Sequence, residues 1–291
     1  MKSKLFMILL SLVSPLMVAP LFAQQQAILK VMTWNIRLDT PDDGFNQWQY
    51  RKEGLCNEIQ KQHPDILGVQ EALPNQMKDM SKRLKGYKSI GVGRDDGEKS
   101  GEFNALFYNK KELKLVRSGT FWLSETPDIA GSRGWDAACN RIVTWAEFID
   151  KTSGKHFICM NTHLDHMGER ARVESAQLIL NKINELAHQL PVVLTGDFNI
   201  SNKQRAYRIL TFSENEYVLS DTRERAGAIK NGPDYSFIGF DPTVEPTELI
   251  DFILATWNFE VISSTIIDFR TGDRYLSDHL PIITELQLNK N

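Results

Sequence analysis

Short apolar runs that stop abruptly at polar residues recur along this chain. Ile28 to Trp34, Ile66 to Val69 and Pro191 to Asn199 each read as a buried strand of β-branched and aliphatic residues, closed by amides or acids. Between them the spacing becomes helical. Trp48 to Gln62 carries Leu55 and Ile59 on one face and stops before Pro64, and a second helix opens at Pro74 and reaches Leu84. Glu169 to Leu190 is the longest predicted helix, with Val173, Ala176, Ile179, Ile183, Ala187 and Leu190 in one apolar stripe. A shorter helix is predicted around Lys203 to Leu210.

From Tyr87 the pattern turns to strands separated by turns: Phe103 to Tyr108, Leu113 to Val116, Arg141 to Ile149 and His156 to Asn161. Asn109-Lys110-Lys111 and Lys151 to Gly154 read as their hairpin connections. Ser124 to Ala138 is a polar loop of a length that usually signals function or mobility. Residues 213–247 are irregular, and strands return at Glu248 to Leu254, Phe259 to Ile267 and Ile282 to Leu288. Each of two blocks alternates strands with helices and then runs as hairpins. Two packed, mostly antiparallel β-sheets flanked by helices satisfy that pattern, which predicts a four-layered α/β sandwich. The hairpin-rich stretches argue against the regular units of a parallel barrel.

Composition changes the picture mainly at the N-terminus. Lys2 and Lys4, the apolar run Leu5 to Val13, and Leu21-Phe22-Ala23 before Gln24 predict a secretory signal peptide over residues 1–23. Residues 24–291 are then expected as a single exported domain, periplasmic or secreted and monomeric. No Cys follows the cleavage site, which disfavours a lipoprotein, and no other stretch is long enough to span a membrane. Without Lys2 and Lys4 the chain has 32 basic against 37 acidic residues, a net of −5. That balance leans away from gripping long duplex nucleic acid, although a groove can be locally basic. Cys56, Cys139 and Cys159 are too scattered for a disulfide framework or a zinc knuckle. Cys159 reads as a buried small hydrophobe, and an exported protein would permit a Cys56–Cys139 bridge.

The candidate chemistry lies where the strands run out. Asn35 and Glu71 close the first two strands, Asn161 to His166 closes another, and Asp197 and Asn199 follow Gly196, which permits a sharp turn. Asp251 opens a later strand, and Ser277-Asp278-His279 precedes the last one. In sheet-based folds ligands collect at one edge of the strands. Hard Mg²⁺ or Mn²⁺ takes carboxylate and carboxamide oxygens, which Glu71, Asn35 and Asp278 can supply. An attacking water needs a base, and Asp197 paired with Asn199 suits that task. Developing charge on a phosphate needs donors, which protonated His163 and His279 provide. Each histidine needs an orienting acid, Asp251 for one and Glu102 for the other.

Trp34-Asn35-Ile36, Gln70-Glu71, Asn161-Thr162-His163-Leu164-Asp165, Gly196-Asp197-Phe198-Asn199, Ile250-Asp251-Phe252 and Ser277-Asp278-His279-Leu280-Pro281, in this order, resemble the endonuclease/exonuclease/phosphatase superfamily. The resemblance covers Val31 to Leu286. It implies Asn35 and Glu71 as the metal-side pair, with Asp278 near the metal, and His163 as a phosphate contact with Asp165 in the substrate pocket. It also implies Asp197 and Asn199 as the water-activating pair, Asp251 orienting His279, Arg141 as a basic phosphate contact and, more loosely, Glu102 supporting His163. Many relatives carry Asp or Asn where this chain has Arg37, so the second metal-side ligand departs from the pattern.

The function so predicted is metal-dependent hydrolysis of a phosphodiester by in-line attack of an activated water, nucleic-acid fragments included among the substrates. Alternatives on the same scaffold are a phospholipid or sphingomyelin headgroup and a phosphorylated sugar or inositol. Only Arg141, Arg170 and Arg172 lie beside the motifs, fewer cations than an inositol-phosphate pocket is expected to carry. A non-catalytic ligand-binding protein is the alternative of another class, and it would be marked by loss of one of these core residues. Elsewhere, His63 reads as a surface or capping residue, Asp95-Asp96-Gly97 as a turn, and Trp122 and Trp135 as packing.

Overall fold

The computed structural model describes residues 28–212, 218–241, 243, 245–268 and 274–288. The signal peptide predicted over residues 1–23 lies outside them.

Seven strands form one sheet, in the spatial order β10 (Lys230–Asn231), β12 (Phe259–Ile266), β13 (Ile282–Leu288), β1 (Ile28–Asn35), β2 (Ile66–Ala72), β4 (Phe103–Asn109) and β3 (Tyr87–Ile90). Six form the other, in the order β5 (Leu113–Trp122), β6 (Ile142–Asp150), β7 (His156–His163), β8 (Val192–Asp197), β11 (Asp251–Thr256) and β9 (Leu219–Asp221). Most neighbours are antiparallel, as predicted. Each sheet also holds a central parallel pair joined by a crossover helix. β1 and β2 flank α1 (Trp48–Gln62), and β7 and β8 flank α3 (Glu169–Ala187).

The layers follow from where the apolar side chains point. Val31, Ile66, Leu106, Phe148, Phe157, Cys159, Val193, Ile253 and Leu286 fill the space between the sheets. On the outer face of the first sheet, Trp34, Leu67 and Phe107 pack with Leu55 and Ile59 of α1 and Met80 of α2 (Pro74–Arg83). On the outer face of the second, Ile158 and Leu194 pack with Ile179 and Ile183 of α3 and Tyr207 of α4 (Arg205–Thr211). Each such aliphatic side chain contributes about 1.5–3 kcal/mol on full burial, so Ile183→Asp is expected to detach α3.

A polar cluster crosses the apolar inter-sheet layer. The Gln70 amide donates to Thr33 Oγ1 at 3.1 Å and to Asn161 Oδ1 at 2.7 Å. Asn161 in turn donates to the carbonyls of Val69 and Ala105 at 2.8 and 3.0 Å, and Thr195 donates to Asn161 Oδ1 at 3.1 Å. Gly68 is what lets the sheets approach here: a Cβ would meet Thr195 Oγ1 at 2.5 Å. The cluster ties β2 of one sheet to β7 and β8 of the other, one step behind the polar strand ends.

Several boundaries differ from the sequence expectation. α3 stops at Ala187 rather than Leu190, because His188 and Gln189 take left-handed φ of 45° and 70°. β5 runs on to Trp122 as an edge strand, whose half-exposed polar positions hid its length. His63 caps α1 in the left-handed region, as expected of it. All three cysteines are free, so Cys56 and Cys139 are not bridged. Among the described residues no helix is long and apolar enough to cross a membrane.

Candidate active site

The parallel pairs deliver their last residues to one edge. Asn35 lies opposite Gln70 at the end of β1 and β2, and His163 opposite Asp197 at the end of β7 and β8. Antiparallel β11 starts there, with Asp251 opposite Asp197. The approach to β13 brings in Ser277 to His279, tied down by Ser277 Oγ donating to the Asn35 carbonyl at 2.6 Å and Trp34 Nε1 donating to the His279 carbonyl at 2.9 Å. A Cβ on Gly196 would run into the Thr162 carbonyl, so the turn into Asp197 needs glycine. Arg37, Glu71 and Asn199 all take left-handed φ, of 56°, 63° and 49°. Such conformations cost of order 1–3 kcal/mol each and cluster where function over-determines the backbone.

Asp197 is the hub. Its Oδ2 accepts from Asn35 Nδ2 at 3.0 Å and lies 3.4 Å from His163 Nε2 and 3.7 Å from His279 Nε2, while Oδ1 accepts from the Asn199 backbone N–H at 2.9 Å. Burial, and the nearby Asp251 carboxylate, raise its proton affinity well above the usual carboxylate range. His279 Nδ1 faces Asp251 Oδ2 at 2.7 Å. Burial opposes a charge on His279, but Asp251 and Asp197 outweigh it and hold the ring protonated. The Phe237 ring stands edge-on to the imidazole, 5.1 Å between centroids. The backbone N–H groups of Ile250 and Asp251 both donate to Ser236 Oγ, fixing the start of β11.

His163 departs from its expectation. Burial, reinforced by the charges of Arg141, Arg94 and His279, lowers its proton affinity well below the ordinary value, so it is a neutral imidazole. Its Nδ1 is buried with no partner among the described residues. Glu102 does not support it, because Arg94 Nη1 donates to Glu102 Oε2 at 2.7 Å instead. Asn199 acts on Asp197 through its backbone, since its side-chain amide donates to the Leu164 carbonyl at 3.0 Å.

On the other side of the cleft, Glu71 Oε1 accepts from Asn35 Nδ2 at 2.9 Å and Oε2 accepts from the Leu38 N–H at 3.1 Å. Asn35 Oδ1 is itself engaged by the Arg37 N–H at 3.0 Å. In this orientation the Asn35 amide bridges the Glu71 and Asp197 carboxylates. Asp278 is almost fully buried; burial, and to a lesser degree the like charge of Glu71, raise its proton affinity. Two neighbouring carboxylates that repel one another fit a hard divalent cation. Arg37, the departure noted in the sequence, is turned aside: it forks onto Asp43 at 2.9 and 3.0 Å and reaches Asp278 Oδ2 only at 3.9 Å. Asp197, Asp251 and His279 also present ligand atoms within 4.8 Å of one another and could hold a metal ion. A protonated His279 cannot ligate, so this trio holds either a proton or a cation.

Asp165 does not reach the cleft as expected of a substrate contact. Its carboxylate accepts from the N–H groups of Ala138, Met167 and Gly168 and lies 3.4 Å from Arg141 Nε. Burial would raise its proton affinity, but those amides and the Arg141 charge hold it well below the usual range. Its place is to fix the loop and Arg141. Arg141 does line the cleft, beside Arg94, Glu102, His163 and His166. The cleft, about 430 Å³, also takes in Glu71, Asp197, Asp278 and His279.

Sequence reasoning missed Arg51 and Arg94. Arg51 sits on the buried face of α1 and donates to the Ile36 and Leu276 carbonyls at 2.9 and 2.7 Å, joining the two segments that carry Asn35 and Asp278. Its only sequence signal was a charge on the apolar side of a helix. Arg94 immediately precedes Asp95-Asp96-Gly97, which read as a turn.

A family model described as the endonuclease/exonuclease/phosphatase family matches residues 32–279. Among solved structures, an endonuclease/exonuclease/phosphatase protein from Bacteroides vulgatus is 44% identical, with a TM-score of 0.87 over 91% of this chain and 100% of that one. A mannosyl-6-phosphatase from Bacteroides thetaiotaomicron is 37% identical, with a TM-score of 0.82 over 89% of this chain and 99% of that one. Tyrosyl-DNA phosphodiesterase 2 of Gallus gallus is 27% identical over 182 residues, 60% of this chain; the match spans 42% of that protein's length.

Proposed function

The chain belongs to the endonuclease/exonuclease/phosphatase family of ester-bond hydrolases, and on that premise we propose that it hydrolyses a phosphate ester with a divalent cation, Asp197 activating the water. The observation that carries this reading is the convergence of Asn35, His163, His279 and the Asn199 amide on the one buried carboxylate of Asp197.

Each residue has a derived task. Asp197, whose burial lifts its proton affinity toward neutrality, takes a proton, once ionised, from a water placed in line with phosphorus. Protonated His279, kept so by Asp251, donates to a phosphoryl oxygen as negative charge builds there. Neutral His163 donates through Nε2 to Asp197 and keeps its carboxylate aimed. The Asn35 amide couples that base to Glu71. Glu71 and Asp278 would hold Mg²⁺ or Mn²⁺, which supplies neutralisation of a non-bridging phosphoryl oxygen. Excluding bulk water from this buried cluster strengthens each interaction.

Two substrate readings follow. The ordered motifs and the tyrosyl-DNA phosphodiesterase relative support a phosphodiester. The mannosyl-6-phosphatase, similar over nearly its whole length, supports a phosphorylated sugar. A substrate panel with Mg²⁺ or Mn²⁺ tests both: oligonucleotides, sphingomyelin, inositol phosphates, sugar phosphates and a chromogenic ester, with Asp197→Ala alongside. Turnover lost in Asp197→Ala supports the mechanism, and turnover at the wild-type rate in that variant rejects it. We propose further that the enzyme is exported, on the strength of residues 1–23; recovery of activity only from cytoplasmic extract would count against this.

A further inference from the structure

One wall of the cleft bears on which ester is cleaved, given that the protein is a phosphoester hydrolase. The wall consists of Arg94, in the loop after β3, and Arg141, immediately before β6. Arg141 is 4% exposed. Its Nε lies 3.4 Å from Asp165 and its Nη2 lies 3.0 Å from His166 Nδ1, whereas Nη1 is buried with no partner among the described residues. Arg94 repeats the arrangement: Nη1 is fixed by Glu102 at 2.7 Å, and Nε is buried with no partner among the described residues. Both charges lie close enough to His163 to depress its proton affinity. Two guanidiniums that line the cleft are thus each fixed by a carboxylate, and each keeps one buried nitrogen without a partner among the described residues.

We propose that Arg94 and Arg141 form a subsite for the additional anionic oxygen of a phosphomonoester, and that the enzyme is a phosphomonoesterase. Guanidiniums stay charged, and a buried N–H without an acceptor is costly, so the wall is completed by an anion. A phosphodiester carries one charge on two non-bridging oxygens. A monoester carries three such oxygens and, above its second pKa of about 6, close to two charges. With the carboxylate side and His279 engaging two oxygens, the third falls to the arginine wall. A diester would press its second alcohol group there and leave the donors unpaired. In the reaction the water oxygen bonds to phosphorus, and the bond from phosphorus to the alcohol oxygen breaks. Its electron pair stays on that oxygen, which takes a proton, and inorganic phosphate is the other product.

The test uses two esters with one leaving group, p-nitrophenyl phosphate and methyl p-nitrophenyl phosphate, assayed with Mg²⁺ at a pH where the monoester is a dianion. The wild type is expected to favour the monoester in kcat/KM by roughly 100-fold or more, and Arg141→Gln to shrink that ratio by roughly 10–100-fold, the worth of a hydrogen bond to a charged group. The Arg94→Met/Glu102→Gln double variant, which leaves no unpaired carboxylate, is expected to act in the same direction and covers the case in which Arg141→Gln does not fold. A purely structural role would lower both esters together and leave the ratio unmoved. Wild-type preference for the diester, or an unmoved ratio in the folded variants, overturns the proposal. If neither ester is cleaved with Mg²⁺ or Mn²⁺, the hydrolase reading fails separately, and calorimetric titration decides the subsite. Binding of inorganic phosphate but not dimethyl phosphate, weakened in the arginine variants, supports it; equal or no binding of the two overturns it.

Discussion

In one half of the molecule β1 and β2 run parallel around α1 and release Asn35 and Glu71 at their ends; in the other, β7 and β8 run parallel around α3 and release His163 and Asp197. The backbone plan is the same, and both halves present a carboxylate. Glu71 remains partly open to the cleft, beside Asp278, while Asp197 is 1% exposed among imidazoles and amides. Burial and neighbours therefore separate two tasks that residue type alone would merge: holding a cation and taking a proton. Asn35, bonded to both carboxylates, is the seam between them.

That division can be broken one side at a time. The largest effect is expected from Asp197→Asn, which removes the base without changing shape and should lower kcat by roughly 10³-fold or more, within the range for a positioned acid or base. Asp251→Asn should cost about 10²-fold in kcat and lower the pH at which activity falls off on the alkaline side, since His279 loses the carboxylate that keeps it protonated; an unshifted pH profile would remove Asp251 from the account. Glu71→Gln should behave differently, raising the half-saturating Mg²⁺ concentration roughly 10–100-fold while excess metal restores much of kcat. A kcat loss that no metal concentration relieves would erase the contrast between the halves.

Smaller effects sharpen the same contrast. Asn161→Ala leaves Gln70, Thr195 and two carbonyls short of partners between the sheets, and urea unfolding should show a loss of about 3 kcal/mol; less than about 1 kcal/mol would mean the cluster does not clamp the halves together. A pH slope reads the buried carboxylate itself. The proton affinity of folded Asp197 is pushed up to about 7, against roughly 3.9 for an unfolded aspartate. The folded state thus binds the extra proton between these values, so its contribution to stability is full below the lower one and is lost as pH rises toward the higher. Activity should rise over the upper part of the same window as Asp197 ionises. In metal-free protein the Asp197→Asn variant should flatten the stability slope, and melting curves across that pH range would reveal it.

Much of this was legible in the sequence because strand ends are. The run Val192 to Thr195 reads as a buried strand, Gly196 marks its turn, and Asp197 and Asn199, which alone could simply serve that turn, stand out beside the other polar strand ends. The layers and both crossover helices followed from apolar spacing of the same kind. What stayed hidden depends on which way a side chain turns once the strands are paired. Asp165 sits two residues beyond His163, yet its carboxylate folds back onto loop amides. Glu102 stands beside β4 but is claimed by Arg94, eight residues earlier in the chain and joined to it only through the turn. The neutral state of His163 follows first from its burial and then from Arg141 and Arg94, brought near it by sheet pairing and loop closure rather than by the motif itself. Arg51 looked like one more charge on an amphipathic helix, and its ligands are carbonyls from the two ends of the chain.

The most direct measurement of the division of labour is a calorimetric Mg²⁺ titration of Asp197→Asn beside the wild type, with phosphate-ester turnover followed on the same samples. The account predicts wild-type Mg²⁺ affinity in a variant that no longer turns over substrate. Loss of Mg²⁺ binding with Asp197, or turnover persisting without it, would contradict the assignment of cation and proton to opposite halves.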